Sequence, residues 1–185
     1  MTDFKIRVEN IVASAALGVK VPLEKVVSKL EGMEYEPEQF PGIVYRLQKP
    51  KAAALIFGSG KIVCTGARNI EDVNTVFKKV ISIVKSTGTK VPRGFTMQVE
   101  NIVASAKLDS NLNLDTIAFN LENSEYEPEQ FPGLVYRMTE PKVAFLLFGS
   151  GKIVCTGARS VTDVEIAVKK VSKKLKEIGA LVKPK

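Results

Sequence analysis

The chain has 185 residues, with 27 Lys+Arg against 20 Asp+Glu, a net charge of +7, no His, no Trp and two Cys. Without His, His general-base catalysis, His-paired nucleophiles and most zinc sites are excluded, and two Cys cannot build a disulfide framework. A composition of 45% hydrophobic and 25% charged residues belongs to a globular chain rather than a disordered one, and the basic excess is compatible with a polyanionic partner.

Met1-Thr2-Asp3-Phe4-Lys5 contains no apolar leader core, so no secretory signal is expected, and no apolar run approaches a membrane span. Residues 5–15 alternate around Ile6, Val8, Asn10 and Val12 and predict a strand. Leu23, Val26, Val27 and Leu30 fall on one face of a short helix, with Pro22 suited to its first turn. A strand from Ile43 to Leu47 follows Pro41-Gly42 and is broken by Pro50. Ala52–Phe57 and Lys61–Gly66 flank Gly58-Ser59-Gly60 and predict a hairpin. A second helix begins after Asn69, a good N-cap with Asp72 three residues on, and buries Val73, Phe77, Val80 and Val84. Gly and Pro mark residues 86–94 as a linker.

The whole pattern then recurs at an offset of 91 residues, without insertion. Residues 4–88 and 95–179 share 48 identities in 85 positions. Glu9–Ala15 returns at 100–106, Glu34–Gly42 at 125–133, and Phe57–Arg68 at 148–159. The helix face returns as Leu114, Ile117, Ala118 and Leu121. The final helix returns after Ser160, with Val164, Val168, Val171 and Leu175 as its buried stripe. Two copies of this length predict two similar lobes, residues 1–89 and 90–185, related by a pseudo-two-fold axis. The outer face of the last helix is rich in lysine (Lys169, Lys170, Lys173, Lys174, Lys176), a pattern usual for a solvated face.

Two helices per lobe can cover one face of an antiparallel sheet. Alternation puts Ala54, Ile56, Ile62 and Cys64 on that covered face and Leu55, Phe57, Lys61, Val63 and Thr65 on the other. No segment remains to cover the second face. An apolar sheet surface carrying duplicated Phe, Asn and Thr, with cations at its edge, predicts a binding site. That chemistry suits a DNA minor groove: A·T pairs present only acceptors there, Lys and Arg meet phosphates, and Phe can wedge between base steps. An apolar-ligand or homodimer module would use the same face but leaves the duplicated Asn and rim Lys without a purpose.

Other chemistries fit less well. Gly58-Ser59-Gly60-Lys61 lacks the spacing of a phosphate-binding loop and is followed by a strand. The Glu clusters at 34–38 and 125–129 have no His, nucleophile or metal set beside them, so acid–base catalysis is not expected. Cys64 and Cys155 occupy one apolar position of the repeat twice over and are expected to be buried, reduced thiols.

The paired E-N-I-V, Y-E-P-E-Q-F-P-G and F-G-S-G-K-I-V-C-T-G-A-R segments resemble those of the TATA-box-binding protein family over nearly the whole chain, in both repeats. Without a long low-complexity N-terminal extension, the chain looks like an archaeal member. The resemblance implies an α+β saddle, in which two pseudo-symmetric repeats form one curved ten-stranded antiparallel sheet with four helices on the convex face. It implies a general transcription initiation factor, not an enzyme and needing no cofactor, that binds the minor groove of double-stranded TATA-element DNA in the cytoplasm, associated with the nucleoid of an archaeal cell. Phe40 with Phe57, and Phe131 with Phe148, resemble the intercalating pairs. Asn10 and Asn101 resemble the groove hydrogen-bonding pair, and Val12, Val103, Leu55, Leu146, Val63, Val154, Thr65 and Thr156 the groove lining. Arg46, Lys51, Ser59 and Lys61, with Arg137, Lys142, Ser150 and Lys152, resemble phosphate contacts. The loop at 125–130 resembles the one that receives transcription factor B, ahead of RNA polymerase, through Glu127, Glu129 and Gln130. Glu36 and Glu38 repeat that acidic pattern in the first lobe.

Overall fold

The protein is described from a computed structural model over residues 5–183. It divides into two compact units. One is Asn10–Glu100; in the other, the residues before Asn10 join Asn101 onward.

The first unit contains β1 (Arg7–Ala16, from Asn10), α1 (Leu23–Val27), β2 (Met33–Glu34), β3 (Gly42–Leu47), β4 (Ala52–Phe57), β5 (Lys61–Ala67) and α2 (Ile70–Ser86). Its strands are antiparallel in the order β2-β3-β4-β5-β1. The second contains β6 (Met97–Lys107, from Asn101), β7 (Asn111–Leu112), α3 (Leu114–Asn120), β8 (Ser124–Glu125), β9 (Leu134–Met138), β10 (Val143–Leu147), β11 (Lys152–Ala158), α4 (Val161–Glu177) and β12 (Leu181–Val182). Its sheet runs β6-β11-β10-β9-β8, and β7 pairs separately with β12.

The long helices form where their caps and stripes require. Asn69 Oδ1 accepts from the Asp72 N–H at 2.7 Å, and Ser160 Oγ from the Asp163 N–H at 3.1 Å, satisfying donors the first turn would otherwise leave open. Val73, Val76, Phe77, Val80 and Val84 of α2 are buried with Ile11, Ile43, Ala54, Ile56, Ile62 and Cys64 of the sheet. In the second unit Val164, Val168, Val171 and Leu175 of α4 are buried with Ile102, Leu134, Phe145, Leu147, Ile153 and Cys155 of the sheet. Each fully buried large side chain here contributes about 1.5–3 kcal/mol of hydrophobic stabilisation. The helices are also tied to the sheet edge: Lys79 Nζ donates to the Lys49 carbonyl at 2.6 Å and Lys170 Nζ to the Glu140 carbonyl at 2.7 Å.

The short helices depart from expectation. Helix α1 ends at Val27, where the Ser28 hydroxyl donates to the Lys25 carbonyl at 2.8 Å. The chain then turns, with Gly32 at φ +86°, and Leu30 is left exposed instead of completing the apolar face. Pro22 stands one residue earlier than expected, as the N-cap, and its carbonyl accepts from Lys25 and Val26. Helix α3 runs further, so Leu114, Ile117 and Leu121 are buried as expected, but Ala118 faces solvent. The small β7–β12 sheet has no counterpart in the sequence reading; two residues per strand are too few to show a period.

Among the described residues no helix is long and apolar enough to cross a membrane, and no group of three or more His, Cys, Asp or Glu could hold a metal ion.

Candidate nucleic-acid interface

Strand register sets which side chains share the face away from the helices. In the first unit one row across the sheet is Val44, Leu55, Val63 and Ser14. Beside it lie Arg46, Ala53 and Thr65 on one side, and Gly42 with Phe57 on the other. The second unit repeats the rows as Val135, Leu146, Val154 and Ser105, and as Arg137, Ala144, Thr156 and Val103. Alternate residues of β4 and β5 (Ala54, Ile56, Ile62, Cys64) are fully buried, whereas Ala53, Leu55, Val63 and Thr65 are only half-buried. The helix-covered and open faces are therefore those the alternation predicted, in both units. Val12, Val103, Asn10 and Asn101 are half-buried as well.

An aromatic pair stands at one end of each open face. The rings of Phe40 and Phe57 meet edge to face with centroids 5.6 Å apart, and those of Phe131 and Phe148 at 5.9 Å. The loop before each pair is a tight turn: Gln39 and Phe40 both donate to the Glu36 carbonyl, and Gln130 and Phe131 to that of Glu127. The glycine after each Pro leaves room for the rings. A Cβ on Gly42 would lie 3.0 Å from the Phe57 ring and 3.1 Å from that of Phe40. On Gly133 it would lie 2.8 Å from Phe131 and 2.9 Å from Phe148. These glycines explain the repeated F-P-G, a role not read from the sequence. Phe131 is 40% exposed, and its three counterparts are half-buried. Aromatic rings left partly in water at a strand end are available for a ligand.

The rim cations divide into two kinds. Lys51, Lys61, Lys142 and Lys152 are exposed and join no ion pair among the described residues. Ser59 and Ser150 sit in the hairpin turns, their hydroxyls facing the N–H of Lys61 and Lys152 at 3.4 Å. Arg46 and Arg137, by contrast, are engaged: Arg46 donates to Glu34 at 2.9 Å and Arg137 to Glu125 at 3.0 Å. Such exposed pairs are worth about 0–1 kcal/mol, so an anion can compete for either guanidinium. Glu34 and Glu125 were missed as partners because each lies on a two-residue strand. Lys107 was missed too. It lies in register opposite Lys152 and donates to the Ser150 carbonyl at 2.7 Å. Counting the β6 alternation on from Val103 and Ser105 would have found it. The first repeat has Ala16 at this position.

Polar groups on β1 and β6 are held. Ser14 donates to Glu100 at 2.6 Å and Ser105 to Glu9 at 2.7 Å. Asn10 bonds Thr65 and the backbone of Gly66, and Asn101 bonds Thr156 and Gly157. Glu127, Glu129 and Gln130 are exposed, as are Glu36, Glu38 and Gln39.

Both thiols are buried. Burial, with the nearby Asp72 adding to it, pushes Cys64 up to about 11, and burial alone pushes Cys155 up to about 11. At neutral pH they are protonated and behave as small apolar side chains, not as nucleophiles.

The family model described as transcription factor TFIID, or TATA-binding protein, matches this chain twice, at residues 5–87 and 96–178. The TATA-box-binding protein of Methanothermobacter thermautotrophicus is 53% identical over 181 residues, covering 98% of this chain and all of that protein. Its counterpart in Picrophilus torridus is 55% identical over 179 residues, covering 96% of this chain and 97% of its own. The solved structure titled Methanococcus jannaschii TBP superposes with a TM-score of 0.88 at 49% identity, over 94% of this chain and 99% of that one. The ten antiparallel sheet strands and four helices, in two repeats, are the fold of that structure. With both repeats matched and nearly the whole length shared, the chain belongs to the TATA-box-binding protein family, a family of transcription factors rather than enzymes.

Proposed function

We propose that this chain is a general transcription initiation factor that binds the minor groove of TATA-type DNA through the open sheet faces of its two repeats, 1–89 and 90–185. The observation that carries this reading is the half-buried apolar face, present twice, with a glycine-seated Phe pair at its end and unpaired lysines on its rim. Val12, Leu55, Val63 and Thr65, with Val103, Leu146, Val154 and Thr156, line an opened groove, and Asn10 and Asn101 donate to the A·T acceptors on its floor.

Phe40 with Phe57, and Phe131 with Phe148, act as wedges that partly unstack a base step at each end of the site. As is general for minor-groove wedge proteins, this family among them, unstacking costs a few kcal/mol per step and is offset by the surface a bent duplex brings into contact. Sequence preference then comes from the A·T acceptors together with the deformability of TA steps. Lys51, Ser59 and Lys61, and Lys142, Ser150 and Lys152, meet phosphates. Arg46 and Arg137 join them by exchanging Glu34 and Glu125 for phosphate oxygens.

The exposed loop with Glu127, Glu129 and Gln130 is the contact for transcription factor B, which brings RNA polymerase to the complex. The protein then works on chromosomal DNA in the cytoplasm of an archaeal cell. A gel shift with an A/T-rich duplex against a G/C-rich control tests the DNA reading. Equal retention of both, or of neither, overturns it. Energy transfer between dyes on the duplex ends tests the wedges: Phe57→Ala with Phe148→Ala must reduce the bend.

A further inference from the structure

The rows of side chains on the open face of the first unit recur in the second without a change of residue type, from Val44 and Val135 through Thr65 and Thr156 to Lys61 and Lys152. One position in register with them breaks the match. Ala16 stands opposite Lys61, whereas Lys107 stands opposite Lys152. At this place the first repeat has one cation and the second has two.

Two lysines directly opposite on antiparallel strands repel each other and cost stability. No carboxylate relieves them: both are exposed, and neither joins an ion pair among the described residues. Lys107 is held by backbone instead. Its Nζ donates to the Ser150 carbonyl at 2.7 Å and to the Leu108 carbonyl at 3.5 Å. An ammonium has three donors and keeps its charge against neutral carbonyls, so one N–H and the whole charge remain for an anion. The side chain is also placed in advance. The Ser150 carbonyl belongs to the turn from Phe148 to Lys152, closed by the Gly151 N–H on the Phe148 carbonyl at 2.9 Å. The charge is therefore fixed beside the turn that carries Phe148, and less side-chain freedom is left to lose on binding. Ala16 offers neither the charge nor the bond to the turn.

We infer that Lys107 binds a DNA phosphate next to the one met by Lys152, a contact that only the second repeat can make. The inference rests on the minor-groove reading above. It gives the matched rows one electrostatic direction: the half of the duplex under the second repeat is held by one more phosphate than the other half. Each phosphate contact contributes about 0.9 to the slope of log affinity against log salt, so the extra contact can be counted.

The test uses the full chain and an A/T-rich duplex, titrated from low to moderate salt. Lys107→Ala is expected to lower the slope by about 0.9, and Ala16→Lys to raise it by as much. Lys107→Gln separates charge from the bond to the turn. Its amide can still donate to the Ser150 carbonyl, yet it must lose the same slope, while Lys107→Arg must keep it. A Gln variant with the wild-type slope would make Lys107 a brace for the turn alone and overturns the inference.

Direction is read on a self-complementary A/T-rich duplex whose phosphates at one end are replaced by uncharged methylphosphonates. One dye sits on Lys176→Cys, exposed on α4, and a second on the modified end, so that energy transfer reports orientation; the two native thiols are buried. Wild type is expected to place its second repeat on the charged end at least threefold more often than on the neutral end. Ala16→Lys with Lys107→Ala must reverse that preference. Equal occupancy of the two orientations by wild type overturns the inference. A wild type that binds A/T-rich and G/C-rich duplexes equally, or binds neither, overturns the minor-groove reading itself.

Discussion

The Phe57 ring lies so close to the Cα of Gly42 that a methyl group there would come within 3.0 Å of the ring edge and equally close to the Ile56 carbonyl oxygen. In the second repeat the three atoms nearest to such a methyl on Gly133 all belong to the Phe131 and Phe148 rings. The two alanine variants should therefore behave differently. Gly42→Ala meets backbone as well as rings, so it should lose stability by about 1–3 kcal/mol, the usual cost of overpacking. Gly133→Ala presses first on partly exposed rings that can swing aside, so its melting temperature should fall less. Both variants displace a Phe pair, and both should lower energy transfer across a bound A/T-rich duplex. A Gly133→Ala protein with wild-type bending would show that the ring positions do not matter.

The rim lysines give a second test. Lys61 and Lys152 are exposed and unpaired, so they are ready to replace counterions on phosphates. Each phosphate contact contributes about 0.9 to the slope of log affinity against log salt. Lys61→Ala with Lys152→Ala should lower that slope by about two, with similar losses on every A/T-rich sequence. Binding measured from low to moderate salt reads this directly. An unchanged slope would remove both residues from the interface.

How much of this was legible in advance depended on the range of the interactions. The caps at Asn69 and Ser160, the stripes of α2 and α4 and the alternation of β4 and β5 are local patterns, and each reads straight off the chain. Repetition strengthened every one of them. Leu30 misled because a helix stripe says where apolar residues fall, not where the helix stops; Ser28 and Gly32 ended it first. The bonds from Asn10 to Gly66, from Arg46 to Glu34 and from Ser14 to Glu100 join residues 56, 12 and 86 positions apart. They follow from register and from a bulge, neither of which a single sequence prints. The paired Asn could be named, but not the direction of their hydrogen bonds.

Helix α4 separates fold from interface. Lys174 Nζ lies 3.2 Å from the Tyr136 hydroxyl and 5.7 Å from its ring centroid, while Lys173 is 4.0 Å from Glu177. Tyr136 is buried on the helix-covered face and stacks on Phe145. The first repeat has Ser82 and Ile83 in place of these lysines, so the fold does not need them. Reversing both charges (Lys173→Glu, Lys174→Glu) removes one cation–π contact, about 0.5–1 kcal/mol, and sets a carboxylate against Glu177. The melting temperature should drop by a few degrees, while affinity for an A/T-rich duplex should stay within about threefold of wild type. A tenfold loss would contradict the assignment of DNA to the opposite face.

The buried thiols predict how stability responds to alkali. Cys64 and Cys155 are raised from the ordinary 9.0 to about 11 in the folded protein, chiefly by burial. The folded state therefore holds two protons that the unfolded chain gives up first as pH rises past 9. Unfolding releases protons in that window, so stability is full below pH 9 and falls through to about pH 11. Denaturant midpoints at pH 8 and pH 10.5 should show this loss. Cys64→Val with Cys155→Val fills the same apolar sites without a titrating group, and should flatten the dependence without changing DNA binding at neutral pH. A variant that keeps the wild-type alkaline slope would place the responsible group elsewhere in the chain.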